Sequence, residues 1–211
     1  MLRRVQCGLE ALYRVDTGVT VDDFVIDEPT RSALVADRKP REQLLVIEDG
    51  GEMALALFVD PAAIANLERR DPVRQLDDQN LGDFLLVVEG VSHFIYAVAC
   101  ARDERPVTQL ELELQAEIDK YISCLLLGQP ESRASASLRE RLFAEPNYEP
   151  DLSADELSRY RAANDNALRY TAWLEASFLE RRRVPEMLGE LRQFYRHSLA
   201  HKLARIAECA R

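Results

Sequence analysis

Two pairs of side chains in this sequence stand four residues apart: Glu89 with His93, and His197 with His201. On an α-helix such residues lie one above the other, so Glu89 and His93 can work as acid and base, or share a metal ion. Ser92 and Tyr96 add a hydroxyl and a phenol to the same helical face. The candidate binding face is therefore Glu89, Ser92, His93 and Tyr96. In the metal-binding alternative, Glu89, His93, His197 and His201 gather around a divalent transition metal. The two imidazoles of His197 and His201 are only half of such a site. The Glu-x-x-His and His-Glu-x-x-His signatures are absent, so carboxylates of Glu111, Glu113 or Glu117 from a neighbouring helix would have to complete it.

Each of these features also has a purely structural reading. Glu89, Ser92, His93 and Tyr96 read as a hydrogen-bonded polar seam between packed helices, because buried polar groups must find partners. His197 and His201 read as a solvated helix edge. Glu111, Glu113 and Glu117, in a segment with Asp119 and Lys120, read as a wet helix face. No Gly-rich phosphate loop, Gly-x-Ser-x-Gly elbow or Cys/His nucleophile arrangement is present, which leaves nucleotide hydrolysis and acyl transfer unsupported.

The element that must carry the first pair is a strongly apolar helix over residues 82–101. With about 100° between successive residues, Phe84, Val87, Val91, Phe94 and Val98 share one face, and Glu89, Ser92, His93 and Tyr96 gather on the opposite one. That second face holds a single carboxylate and no Lys or Arg, so it is expected to be covered as well. A buried Glu89 then needs a partner, and His93 one turn away is the nearest.

The flanking signals define the rest. Leu2, Val5, Leu9 and Leu12 make a short amphipathic helix over residues 2–14. A β-prone run spans Val21–Ile26, and Pro29 begins a helical turn through Leu34. Gln43–Glu48 and Met53–Val59 are strand-like runs around Asp49-Gly50-Gly51, which supplies the positive φ angles of a tight hairpin turn. Asp60-Pro61 places an acceptor and a proline at the start of a helix reaching about Arg70. Thr108-Gln109-Leu110-Glu111 fits a capping box opening a helix to about Leu127, and Ser153-Ala154-Asp155-Glu156 opens a long one toward Arg181-Arg182-Arg183. Between them, residues 129–137 and 146–150 read as exposed connections around a brief helical pattern, Leu138–Phe143. Pro185 begins the last helix, carrying Leu188, Leu191, Tyr195, Leu199 and Ile206.

These elements predict a mostly helical α+β fold, with a small antiparallel hairpin near the N-terminus and a C-terminal helical bundle. The polar linker 71–80 could divide residues 1–76, the α/β portion, from a bundle over 81–211. Its short length favours one compact domain, 1–211.

The 211 residues carry a net charge of −10, which opposes broad binding to nucleic acid or anionic lipid. The charge is uneven: from Arg181 onward eight Lys/Arg face three Glu, so this tail carries +5 and the remainder −15. The tail is expected to pack on acidic helices. Cys7, Cys100, Cys124 and Cys209 are scattered without metal or redox spacing and read as reduced packing residues. No signal peptide is expected. No unbroken apolar run, Phe84–Val88 among them, approaches the roughly 18 to 20 residues of a membrane span.

Together these features predict a non-catalytic, cytoplasmic interaction or scaffold protein without cofactor, binding a protein partner or itself as a homo-oligomer, with no membrane and no nucleic acid. The alternative is a metal-binding or enzymatic helical bundle that uses Glu89 and His93, with His197 and His201.

Overall fold

The computed structural model describes residues 1–35, 40–49, 52–128, 132–144 and 152–209. Its axis is helix α4 (Leu81–Arg102), whose buried positions include Phe84, Val87, Val91, Phe94 and Val98 on one side and Ser92, His93 and Tyr96 on the other. Helix α1 (Leu2–Tyr13), helix α3 (Pro61–Arg69), helix α5 (Gln109–Leu127) and a β hairpin all pack on it. Among the described residues α4 is the one helix long and apolar enough to cross a membrane, yet 67% of its most apolar window is buried within the protein. Its apolar character is that of a helix with neighbours on every side.

The hairpin pairs β1 (Glu42–Asp49) with β2 (Glu52–Val59), antiparallel and in register from Glu42 opposite Val59 to Asp49 opposite Glu52. That matches the strand runs on either side of Asp49-Gly50-Gly51; Gly50 and Gly51 themselves lie outside the described residues. The Val21–Ile26 run contributes a 3-10 turn and a single bridge, in which the Ile26 N–H donates to the Leu57 carbonyl at 2.9 Å. Helix α2 (Glu28–Leu34) follows, capped by Asp27. A lone two-stranded hairpin is marginally stable in water. Here its support is α4, against which Leu57 and Val59 are buried, while Phe58 on the opposite face lies under the Arg31 guanidinium of α2. The approach is close enough that a Cβ added at Gly90 would lie 2.9 Å from Glu42 Cγ and 3.2 Å from Leu57 Cδ1. Glycine at that one helical position lets the strand touch the helix backbone.

The helix starts follow their caps. Asp60 accepts from the Ala62 N–H at 2.8 Å and Thr108 from the Glu111 N–H at 3.2 Å. Ser153 and Glu156 exchange both bonds of a capping box at the head of α7 (Ala154–Leu174). Each such cap is worth about 1 kcal/mol.

Three stretches differ from the sequence expectation. Helix α6 (Ser132–Phe143) starts inside the segment expected as an exposed connection, because Ser135 is buried and shares a 2.6 Å hydrogen bond with the Tyr121 hydroxyl. Residues 146–150 lie outside the described residues. Helix α7 runs into a π turn, Glu175–Leu179, where the Glu180 N–H reaches back to the Glu175 carbonyl at 3.0 Å, so it ends before the arginine triplet. The final helix is two: α8 (Val184–Arg196) stops where His197 turns extended (φ −74°, ψ 145°), and α9 (Leu199–Cys209) folds back onto α7. That break lets α9 bury Ile206 and Lys202 against the bundle.

Candidate metal centre

Helices α4 and α5 run antiparallel, and two polar stripes meet along their seam. On α5, Glu113, Glu117 and Lys120 recur at four and three residues, and Glu111, Gln115 and Asp119 at four and four, so each set shares a helical face. On α4, Glu89 and His93 face the first stripe, while Ser92 and Tyr96 face the second. The single candidate face read from sequence is therefore divided between two clusters.

The inner cluster is closed by its own hydrogen bonds. Asp119 accepts from Ser92 Oγ at 2.6 Å, from Gln115 Nε2 at 2.9 Å and from the Tyr13 hydroxyl. Tyr96 donates to Glu111 Oε1 at 2.7 Å, which also receives Arg105 at 2.6 Å. Lys202 enters from α9, fully buried, and donates to Gln115 Oε1 at 2.7 Å with its ammonium 4.2 Å from the centre of the Tyr96 ring. Burial lifts Asp119 to about 6 against its hydrogen bonds, and burial pulls Lys202 down to about 7 against the charges of Glu111 and Asp119. The basic tail meets the acid-bearing helix α5 through one buried amine, Lys202, whereas Arg205, whose Nε lies 2.9 Å from Glu190 on α8, pairs within the tail itself.

The outer cluster is different. Glu89, His93 and Glu113 each offer a ligand atom, and the three atoms lie within 4.8 Å of one another. His93 Nε2 is 3.5 Å from Glu113 Oε2, and His93 Nδ1 is 3.6 Å from Glu42 Oε1, which β1 brings in from the hairpin. Lys120 is bound between Glu89 (3.1 Å) and Glu117 (2.8 Å). Lys120, not His93, is thus the partner of Glu89. From α7, Arg159 Nε stands 3.9 Å from Glu113 Oε1.

Burial by itself lowers the pKa of His93, but the carboxylates of Glu113 and Glu42 overcome this and hold it well above the usual imidazole range. Burial raises Glu42 and Glu117 above the usual carboxylate range. Glu89 is also desolvated, but the Lys120 charge outweighs that and holds it low.

Among the described residues, three buried polar atoms of this cluster have no hydrogen-bond partner: His93 Nε2, Glu42 Oε1 and Arg159 Nε. The raised pKa of His93 keeps it protonated, so that with Glu42, Glu89, Glu113 and Glu117 ionised and Lys120 and Arg159 charged the cluster carries one excess negative charge, and release of the His93 proton to free the ring nitrogen for a ligand role makes that excess two. A divalent cation balances that excess. Mixed carboxylate and imidazole donors suit first-row ions such as Mn²⁺, Fe²⁺ and Zn²⁺.

Glu113 and its α5 neighbours overturn the wet-face expectation, since Glu111 is 2%, Glu113 8% and Asp119 1% exposed. His197 and His201 do not share one helix: His197 terminates α8, His201 is on α9 and hydrogen-bonds Ser198 Oγ at 3.0 Å, and their ring centres are 5.9 Å apart. Neither belongs to the Glu89–His93–Glu113 group. The sequence signal for Glu113 was its place, four residues before Glu117 and seven before Lys120, on a helix whose apolar residues leave no wide wet side. Nothing in the local sequence pointed to Glu42, which is drawn in by the hairpin's position.

In comparisons with known proteins, no family model, no curated protein and no solved structure matched this chain.

Proposed function

We propose that the protein binds one divalent transition-metal ion inside its helical bundle, with Glu89, His93 and Glu113 as ligands. The observation that carries this reading is the buried Nε2 of His93, which makes no hydrogen bond and stands 3.5 Å from Glu113 Oε2 with Glu89 beside it. In the inner cluster, by contrast, Ser92, Tyr96, Gln115, Asp119 and Lys202 are joined by hydrogen bonds to one another or to Tyr13 and Glu111. Leaving a buried polar atom unpaired costs about 1–3 kcal/mol, which a coordinated cation would remove.

The test is titration of metal-depleted protein with Mn²⁺ and Zn²⁺. The expected result is one ion per chain, with affinity weakened by more than about 100-fold in His93→Ala and in Glu113→Ala. Because a ligand that binds only the folded state stabilises it, the melting temperature should rise with metal, the gain being about 2.7 kcal/mol at a hundredfold excess over Kd. A melting curve indifferent to either ion, with no binding heat, would overturn the reading.

A second reading, a non-catalytic interaction protein that binds a second copy of itself, is supported by an apolar groove of about 230 Å³ between α1 and the end of α5, flanked by the exposed Val73 and Leu126. Sedimentation tests it: self-association that Leu126→Glu abolishes favours it, and a monomer at high concentration counts against it.

A further inference from the structure

We propose that Glu42 is the positioning residue for His93, so that seating of the β hairpin on α4 and loading of the metal are one coupled event; this rests on Glu89, His93 and Glu113 being the ligands. A metal-bound imidazole has two nitrogens with separate tasks. One binds the ion, and the other donates its proton to an acceptor that fixes the tautomer and the ring's orientation. At His93 those tasks are already divided. Nε2 points toward Glu113, and Nδ1 points toward Glu42 Oε1 at 3.6 Å.

Among the described residues, His93 is the one side chain with which Glu42 forms an ion pair. Glu42 is 9% exposed, and its Oε1 is buried without a hydrogen-bond partner. A carboxylate held in that state at the first residue of a strand costs stability unless something nearby uses it. The strand is brought there by fixed features: Gly90, whose missing side chain admits the Glu42 methylene, and Arg41, which reaches Asp60 at 2.8 Å and Asp83 at 2.9 Å across the base of the hairpin. The far end of β1 leaves Val46 and Ile47 exposed, so the hairpin's grip on the bundle is concentrated near Glu42, Leu57 and Val59. An ion on Nε2 strengthens the Nδ1–H as a donor, tightening the contact to Glu42. By reciprocity a firmly seated hairpin tightens the ion.

Two measurements with Zn²⁺ test this. In wild-type protein, Zn²⁺ should slow backbone amide exchange across residues 43–47 and 53–58 more than across α9, which is remote from the cluster. In Glu42→Ala, Zn²⁺ affinity should fall by about 10- to 100-fold, the usual cost of losing an outer-shell partner. The Zn²⁺-dependent slowing in the hairpin should vanish with it. Glu42→Gln keeps an acceptor oxygen of the same reach and should restore most of the affinity, which a loss of packing alone would not explain. Equal Zn²⁺ affinity in wild type and Glu42→Ala overturns the proposal. So does a hairpin whose exchange ignores Zn²⁺ while Zn²⁺ binds, and this wild-type measurement decides the question even if Glu42→Ala fails to fold. If wild type binds no Zn²⁺, the ligand assignment itself has failed and the proposal falls with it.

Discussion

A chain cut after Arg183 is expected to lose cooperative folding altogether. The cut removes α8 and α9, and with them the buried Met187, Leu191, Phe194, Tyr195 and Ile206. These side chains are not a separate layer. Tyr195 stacks on Tyr13 at 4.0 Å, Phe194 stacks on Tyr170 at 4.0 Å, and Tyr195 meets Tyr96 edge-on at 4.9 Å. Arg192 and Arg196 also donate to the carbonyls that end α1, Leu12 at 2.8 Å and Tyr13 at 3.1 Å. Fully burying each apolar or aromatic side chain contributes roughly 1.5–3 kcal/mol, so five of them match the whole 5–15 kcal/mol by which a domain is stable. The same cut withdraws Lys202 and leaves Gln115 Oε1 without its donor. Circular dichroism during a thermal ramp checks this: a truncated chain that melts sharply, near the full-length temperature, would show α8 and α9 to be an appendage.

The second large effect is a pH dependence that Lys202 imposes on stability. Burial, only partly offset by Glu111 and Asp119, brings its pKa in the folded state down to about 7 from an ordinary 10.5. The groups around it are Glu111, Gln115 and Asp119 on α5, Tyr96 and Cys100 on α4, Arg105 beyond α4, and Phe194 and Tyr195 on α8. Between these two pKa values the unfolded chain holds a proton that the folded chain has released, so raising the pH favours folding. One proton corresponds to about 1.4 kcal/mol per pH unit.

Other groups titrate in the same range. His93, with its raised pKa, stabilises at low pH and loses that contribution as pH rises, and burial puts Cys100 at about 11, so it opposes folding above its ordinary range. The quantity to measure is therefore the difference between wild type and Lys202→Met, both carrying Cys100→Ser, in which the His93 contribution cancels and the Cys100 thiol, coupled to Lys202, is removed. Urea melts from pH 7.5 to 9.5 should show wild type gaining on the variant by about 1 kcal/mol or more per pH unit. The donor lost from Gln115 moves the variant's curve by a constant and leaves its slope unchanged. Parallel stability curves for the two proteins would mean that Lys202 is not released from its proton on folding.

What the sequence by itself determined is what short-range chemistry controls. Strand-like runs on both sides of Asp49-Gly50-Gly51 lead to β1 and β2, since a hairpin's register follows from its turn length. Asp60, Thr108 and Ser153 start their helices because a cap needs only the N–H groups two or three residues ahead. The second face of α4, with a single carboxylate and no Lys or Arg, announced its own burial, because water-facing helices carry more charge. All of these decisions are made within about one turn of chain.

The tertiary structure decided which charges go inside. Glu111, Glu113 and Asp119 look like a solvated face until α4 supplies Ser92, His93 and Tyr96, and α9 supplies Lys202, across the gap. Desolvating a carboxylate is prohibitive alone and tolerable beside a cation or several donors, and those donors come from residues as far as 106 positions away, as Tyr13 is from Asp119. For the same reason Glu89 found Lys120 instead of its helical neighbour His93, which left His93 Nε2 and Glu42 Oε1 facing a cluster that no single segment of the chain encodes. The break at His197 was likewise settled at long range: nothing within α8 and α9 requires it, but only a chain that turns there brings Lys202 and Ile206 into the core.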